Sequence, residues 1–181
     1  MRIISGSLKG RRINPPGNLP VRPTTDIAKE ALFSLLYSRI DFEERNVLDL
    51  FAGTGNISFE FASRSAARVT AVDINDKCIH FINETSKQLQ LENIRCIQAD
   101  ALKFLGKDTG VYDIIFADPP YDFDRFDKIP ALVFENNLLE SDGYLIVEHS
   151  SETSYAENEN LIDRRKYGRV NFSIFQQKEG E

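Results

Sequence analysis

An α/β fold with a mostly parallel sheet is predicted by three features of the 181-residue sequence. From Asn46 onward, short apolar runs alternate with segments of helical periodicity. The ends of those runs carry polar groups. The last two β-prone runs follow one another with no helix between them. Strands separated by helices imply crossover units and parallel pairing. A closing hairpin implies one antiparallel strand. The expected architecture is therefore a mostly parallel seven-stranded sheet with helices on both faces, one antiparallel strand and an N-terminal β-hairpin extension. Residues 1–23 are expected to form a basic hairpin with a proline-rich connector, and residues 24–181 the main domain.

The elements follow in order. RIISGSLKGRRI places two short β-prone runs around a Gly/Ser/Lys turn, which predicts a hairpin. PPGNLPVRP is stiff and extended. Thr24 or Thr25 can cap a helix with Asp26 in its first turn. Ile27, Ala28, Ala31, Leu32, Leu35 and Leu36 recur at helical spacing through about Ile40. NVLDLF is a buried strand, AGTGN a loop and ISFEFASR an apolar helix. RVTAVD is a second strand, and Asn75 or Asp76 caps the helix carrying Ile79, Ile82 and Leu89. NIRCIQA, a short helix over Ala101 to Leu105, and VYDIIFA come next. A helix from about Phe126 to Asn137 precedes YLIVEHS. LIDRRKYGRV and VNFSIFQ close the sheet with a turn at Gly168.

Composition bounds the function. The content is 41% hydrophobic and 28% charged, as expected of one soluble domain. No apolar stretch reaches membrane-spanning length and the N-terminal run has no signal-peptide core, so a cytoplasmic location is expected. Cys78 and Cys96 do not form a disulfide framework, and Cys96 is expected to be a buried thiol. His80 and His149 have no ligand spacing, so no metal is assigned. The net charge of −6 hides an asymmetry: residues 1–25 hold Arg2, Lys9, Arg11, Arg12, Arg22 and no acid. That leaves 17 basic against 28 acidic residues in the rest, a balance of −11. A basic arm on an acidic body suits a polyanionic partner; a solvated charged hairpin is the plainer alternative.

Ligands of doubly wound sheets sit beyond the carboxyl ends of the strands, and each such end here carries polar groups. The first supplies Asp49, Gly53 and Gly55, whose glycines let the backbone come close to a ligand. The second ends in Asp73, 20 residues after Gly53, where an acid can accept from both ribose hydroxyls. The third ends in Gln98-Ala99-Asp100, within reach of a base's exocyclic amine. Together they describe a pocket for an adenosine-containing cofactor. The third glycine of a dinucleotide fingerprint is replaced by Ser58, and Asn56 stands where a P-loop needs lysine.

The fourth strand ends in Asp118-Pro119-Pro120-Tyr121. An exocyclic amine on a nucleobase is a poor nucleophile because its lone pair is delocalised into the ring. Two fixed acceptors on its hydrogens would turn that lone pair outward, and the Asp118 side chain and Pro119 carbonyl are the candidates. Proline fixes φ and holds that carbonyl still. Tyr121 offers a flat face for a base. Catalysis would then be positioning and electrostatics, with Asp118 taking the proton late or passing it to water. The plain alternative is that Pro-Pro ends a strand and Asp118 caps a turn.

The spacing D-x-F-x-G-x-G over Asp49, Phe51, Gly53 and Gly55, with Asp73 and Asp100, resembles the S-adenosylmethionine (SAM) site of class I methyltransferases. The whole chain resembles the bacterial 16S rRNA guanine-N2 methyltransferase family, the RsmD type. RIISGSLKGRRI is similar to its N-terminal hairpin. Arg22, Pro23, Thr24, Asp26, Glu30, Leu32 and Phe33 match its R-P-T-x-D-x-x-x-E-x-L-F segment, and VLDLFAGTGNISFE and FADPPY its cofactor and catalytic motifs. These blocks run from residue 2 to about 121; the rest fits in pattern. The resemblance implies a Rossmann-like class I methyltransferase fold and SAM as cofactor, held by Asp49, Phe51, Gly53, Gly55, Asp73, Asp100 and Ala101. It implies methyl transfer to N2 of a guanine in small-subunit 16S rRNA, at Asp118, Pro119, Pro120 and Tyr121. Arg2, Lys9, Arg11, Arg12 and Arg22 would then contact phosphates, which position without reading sequence. The implied partner is 16S rRNA in an assembling or assembled small subunit. No membrane partner is expected, and a monomer is expected because nothing in the sequence marks a dimer face. Arg164, Arg165, Lys166 and Arg169 are either a second RNA contact or a plain surface strand. The competing readings are a DNA adenine-N6 methyltransferase and a non-catalytic SAM-binding RNA or ribosome assembly factor.

Overall fold

The computed structural model describes residues 1–17, 19, 26–168 and 170–178. Arg22, Thr24, Thr25 and Arg169 lie outside these residues.

The strands are β1 (Asn46–Leu50), β2 (Arg68–Asp73), β3 (Ile94–Gln98), β4 (Tyr112–Ala117), β5 (Leu139–His149), β6 (Leu161–Tyr167) and β7 (Val170–Phe175). They form one seven-stranded sheet in the order β3-β2-β1-β4-β5-β7-β6. β1 to β5 pair in parallel, and β7 is antiparallel to both of its neighbours, β5 and β6. This is the expected architecture, including the single antiparallel strand. Gly168 makes the β6–β7 turn at φ 63°, a conformation glycine adopts without strain.

The helices are α1 (Asp26–Tyr37), α2 (Asn56–Ser63), α3 (Asp76–Leu89), α4 (Ala101–Leu105) and α5 (Lys128–Glu135). Alternation along the strands sends side chains to two faces. Val47, Val69, Ile114 and Phe116 pack with Leu32, Phe33 and Phe61 of α1 and α2. Leu48, Leu50, Val72 and Ile115 pack with α4 and α5 through Ala101, Leu105, Ile129 and Val133. Strand β4 is buried along its whole length, as a central parallel strand covered on both sides should be.

Four local expectations are corrected. α1 ends at Tyr37 rather than near Ile40, because Arg39 and Ile40 turn back to donate to the Leu36 carbonyl. α5 is shorter than expected by about a turn, since Phe126 belongs to the preceding loop. β5 begins five residues early, at Leu139, across a register shift opposite Tyr112 and Ile114. Cys96 is half-buried, because β3 is an edge strand; Cys78 is the buried thiol.

The N-terminal hairpin forms around a bridge between Arg2 and Arg12. Ile3 donates to the Arg11 carbonyl and Ile13 to that of Met1. Its apolar side chains Ile3 and Ile13 pack with Ala52, Phe59, Ala71 and Ile82. The polar tie is Glu60 of α2, whose side chain is 0% exposed. Glu60 accepts from the Ile4 and Ser5 amides at 2.8 and 3.0 Å. It also meets Lys29 Nζ at 3.2 Å and Arg64 Nη2 at 2.9 Å. Lys29, equally buried, donates to the Arg2 carbonyl at 2.5 Å and to Asn56 Oδ1 at 2.9 Å. Gly6, at φ 82°, lies so close to α2 that a Cβ there would stand 1.8 Å from the Ser63 carbonyl oxygen.

Candidate active site

The turn from β1 into α2 is built of left-handed residues. Phe51, Gly53 and Gly55 have φ of 61°, 54° and 74°. A Cβ on Gly55 would also come within 2.9 Å of Ile82 and Phe59, so side chains are excluded where the loop presses on α3. Asp73, at the end of β2, ties the loop down: its Oδ2 accepts from Gly53 N at 2.8 Å and its Oδ1 from Asn75 N at 2.8 Å. A carboxylate has about four acceptor sites, so Asp73 keeps capacity for ligand hydroxyls. Asn75 caps α3, accepting from Lys77 and Cys78. Asp100 caps α4, taking Lys103 N at 2.9 Å, and Ala101 is buried in its first turn. Ile74, beside Asp73, is 67% exposed. This apolar surface beside Asp73 is unmarked in the sequence, because a single isoleucine after a strand carries no signal.

Asp49 is placed differently from the other strand-end acids. It is 1% exposed and accepts a hydrogen bond from Ser58 Oγ of α2. It lies under the glycine loop and anchors the helix that follows. The serine that spoils a dinucleotide fingerprint is thus the Asp49 partner.

Asp118 lies beside the glycine loop because β4 neighbours β1; its amide donates to Leu50 O at 3.4 Å. Pro119 is buried, Pro120 and Tyr121 are exposed, and Tyr121 is open over 71% of its surface. Phe123 N closes a turn onto Pro120 O at 2.9 Å. The Pro119 carbonyl is bonded to no donor among the described residues. Phe51 packs edge-on to Phe123, with centroids 5.3 Å apart, linking the glycine loop to the loop that follows Asp118.

Asp118, Pro119 and Tyr121 line a small cleft with Phe126, Glu148, His149, Ser150 and Val170. Sequence reasoning missed Glu148. It reads as one polar residue in YLIVEHS, and only the β4–β5 register sets it beside Asp118.

The site is electrically negative. Burial pushes the Asp49 carboxyl up to about 7, against the Ser58 hydrogen bond, and the charges of Asp118 and Asp73 add to the rise. Burial, then the Asp118 charge, pushes Glu148 up to about 8. Crowded carboxylates suit a cationic ligand and repel a pyrophosphate. Among the described residues there is no group of His, Cys, Asp or Glu arranged to hold a metal ion. No helix there is long and apolar enough to cross a membrane.

A stability signature follows. Asp49 has a folded-state value above its unfolded one, so its burial as a neutral group stabilises at low pH. That contribution is lost as pH rises through about 7. Asp49→Asn is therefore expected to lose less thermal stability than the wild type between about pH 5.5 and about pH 8.5, measured on the unliganded protein. Parallel losses in the two proteins would show that Asp49 does not titrate there.

The basic residues divide. Lys9, Arg11 and Arg12 are exposed on the hairpin. Arg2 faces acids instead, with Nε 3.6 Å from Asp26 and Nη2 3.7 Å from Glu30. Met1 touches the glycine loop, accepting from Thr54 Oγ1 at its sulfur at 3.4 Å. Arg164, Arg165 and Lys166 are exposed on β6, with Arg165 3.0 Å from Asp163.

The family model described as "Conserved hypothetical protein 95" matches residues 1–176. The chain is 33% identical, over 98% of its length, to the provisionally named rRNA methyltransferase YlbH of Bacillus subtilis, covering 100% of that protein. It is 32% identical to the ribosomal RNA small subunit methyltransferase D of Haemophilus influenzae, over 97% of this chain and 93% of that one. The solved structure of the provisionally named methyltransferase yhhF of Escherichia coli superposes with a TM-score of 0.86, at 28% identity over 99% of both chains.

Proposed function

Because the chain belongs to the family described as conserved hypothetical protein 95, the RsmD-type methyltransferases, we propose that it methylates the exocyclic N2 amine of a guanine in 16S rRNA, using SAM. The observation that carries this reading is the adjacency of the Asp118-Pro119-Pro120-Tyr121 loop to the glycine loop at the ends of neighbouring strands. The donor set fits the cofactor: SAM carries a sulfonium and an ammonium, and the pocket is lined with acids. Asp73 would accept from the ribose hydroxyls and Asp100 from the adenine amine. Phe51, Gly53, Gly55 and Ala101 would shape the walls, and Asp49 would hold the loop from beneath. When bound, SAM supplies an already activated methyl group.

The protein's own share is orientation. The Asp118 carboxylate and the Pro119 carbonyl accept from the two amine hydrogens, which directs the lone pair out of the ring plane. Tyr121 stacks on the target base, which has left its own stack. Closing the site against water strengthens each of these contacts.

Residues 1–23 serve as the RNA-binding appendage and 24–181 as the catalytic unit. Lys9, Arg11 and Arg12 contact phosphates; Arg2, held between Asp26 and Glu30, contributes less than its charge suggests, and Arg22 extends the set. The substrate is an assembling or assembled small subunit in the cytoplasm, acted on by a monomer.

The test is methyl transfer from labelled SAM to unmodified small subunits, protein-free 16S rRNA and duplex DNA, followed by nucleoside mass spectrometry. N2-methylguanosine, formed mainly in subunits, is the expected product. Methyladenine in DNA would replace the ribosomal reading with a DNA one. SAM binding without transfer to any substrate would favour the assembly-factor reading. RNA affinity is expected to fall by about 0.7–0.9 log units per neutralised phosphate for each tenfold rise in salt; a flat response would remove the arm's phosphate role.

A further inference from the structure

Glu148 has no task in the scheme above, yet its position is specific. Ala117 of β4 pairs with Val147 of β5, so Asp118 and Glu148 leave neighbouring strands side by side. Both line the cleft that Pro119 and Tyr121 also form. Glu148 Oε2 is buried and has no hydrogen-bond partner among the described residues. A buried carboxylate oxygen without a partner is costly unless the group is neutral or a ligand arrives to meet it.

Among the described residues that line this cleft with Glu148, none carries a positive charge. β4 presents Asp118 and the following loop Tyr121. β7 sets Phe172 opposite it in register. His149, next on its own strand, is engaged at both ring nitrogens, by the Ser150 carbonyl and the Ser173 hydroxyl, each at 2.7 Å. Burial lowers its pKa and keeps it neutral.

We propose that Asp118 and Glu148 act as a carboxylate pair in which Glu148 finally holds the proton that the methylated amine sheds. This rests on the amine-methyltransferase reading of the same site. The amine nitrogen bonds to the methyl carbon while the carbon–sulfur bond breaks and leaves its electron pair on sulfur. The nitrogen then carries the positive charge that sulfur has lost. Asp118, hydrogen-bonded to the N–H, takes the proton and passes it to Glu148. One positive and one negative charge disappear together, and the proton reaches water when the product departs.

Two adjacent carboxyls cannot both ionise freely, so the pair by itself holds a proton near neutral pH. A cation entering the cleft favours the ionised form. Donor binding should therefore expel the proton and leave Glu148 ready as a base.

Calorimetry on the full chain, at about pH 7 in buffers of different ionisation enthalpy, counts the protons released. SAM is compared with S-adenosylhomocysteine, whose sulfur is neutral. The wild type is expected to release more protons to SAM, and Glu148→Gln to lose that difference while still binding both. Single-turnover methyl transfer by Glu148→Gln should fall about 10²-fold, with a flattened pH–rate profile, and Glu148→Asp should recover part of the loss. Unchanged proton release or wild-type turnover in Glu148→Gln overturns the proposal. If Glu148→Gln does not fold, the wild-type comparison of SAM with S-adenosylhomocysteine carries the test, and equal proton release to the two is equally fatal. A wild type that releases the proton yet methylates no RNA would overturn the methyltransferase reading, and the proton role with it, by a result that Glu148→Gln alone does not produce.

Discussion

Asp118→Ala is expected to reduce single-turnover methyl transfer by about 10²–10³-fold while SAM affinity stays within a few fold of wild type. The side chain sits beyond β4, next to the glycine loop but outside it, so its removal leaves the Gly53–Asp73 contact intact. What is lost, on the proposed reading, is one of the two acceptors that turn the amine lone pair outward. The Pro119 carbonyl cannot compensate, because its rigid backbone fixes its direction. Asp118→Asn retains one acceptor oxygen without the charge and should fall between the two. Equal rates for Asn and Ala would assign the effect to charge. A wild-type rate for Ala would show that the amine is held elsewhere. Calorimetric SAM affinity, measured alongside, separates a lost chemical step from a lost cofactor site.

Glu60→Ala is expected to cost about 3–5 kcal/mol, because it strands a buried Lys29 ammonium and two backbone amides. For a chain of this size that is a fall in Tm of roughly 10 °C. Burial lowers the Lys29 pKa, while Glu60 works to raise it; without Glu60 the ammonium is left with the Arg2 carbonyl and Asn56. The hairpin should loosen before the sheet does, seen as early proteolysis or fast amide exchange at residues 1–13. Removing both charges, as in Lys29→Met with Glu60→Leu, should recover part of the stability. It should not recover the hairpin, whose Ile4 and Ser5 amides still lack acceptors. A stable Glu60→Ala with a protected hairpin would show that the apolar contacts of Ile3 and Ile13 hold it alone.

The strands, their mostly parallel pairing and the closing antiparallel strand could be read directly from the sequence. Period-two and period-3.6 apolar patterns are local, and crossover handedness allows few arrangements of them. The placement of the glycine loop, Asp73, Asp100 and the Asp118 loop at strand ends was legible for a related reason: each follows directly on an apolar run, and such ends are where sheets of this kind offer candidate ligand groups. Side-chain roles that depend on a distant partner were not legible. Asp49 looks like a ligand-facing acid until Ser58 is seen bonded to it under the loop. Arg2 looks like a phosphate contact until Asp26 and Glu30 are seen beside it. Lys29 and Glu60 look like helix-surface charges 31 positions apart, yet they form the buried tie that seats the hairpin. Glu148 became part of the site through strand register alone. Burial and partner choice are set by contacts between residues far apart in the chain, and local periodicity carries no record of them.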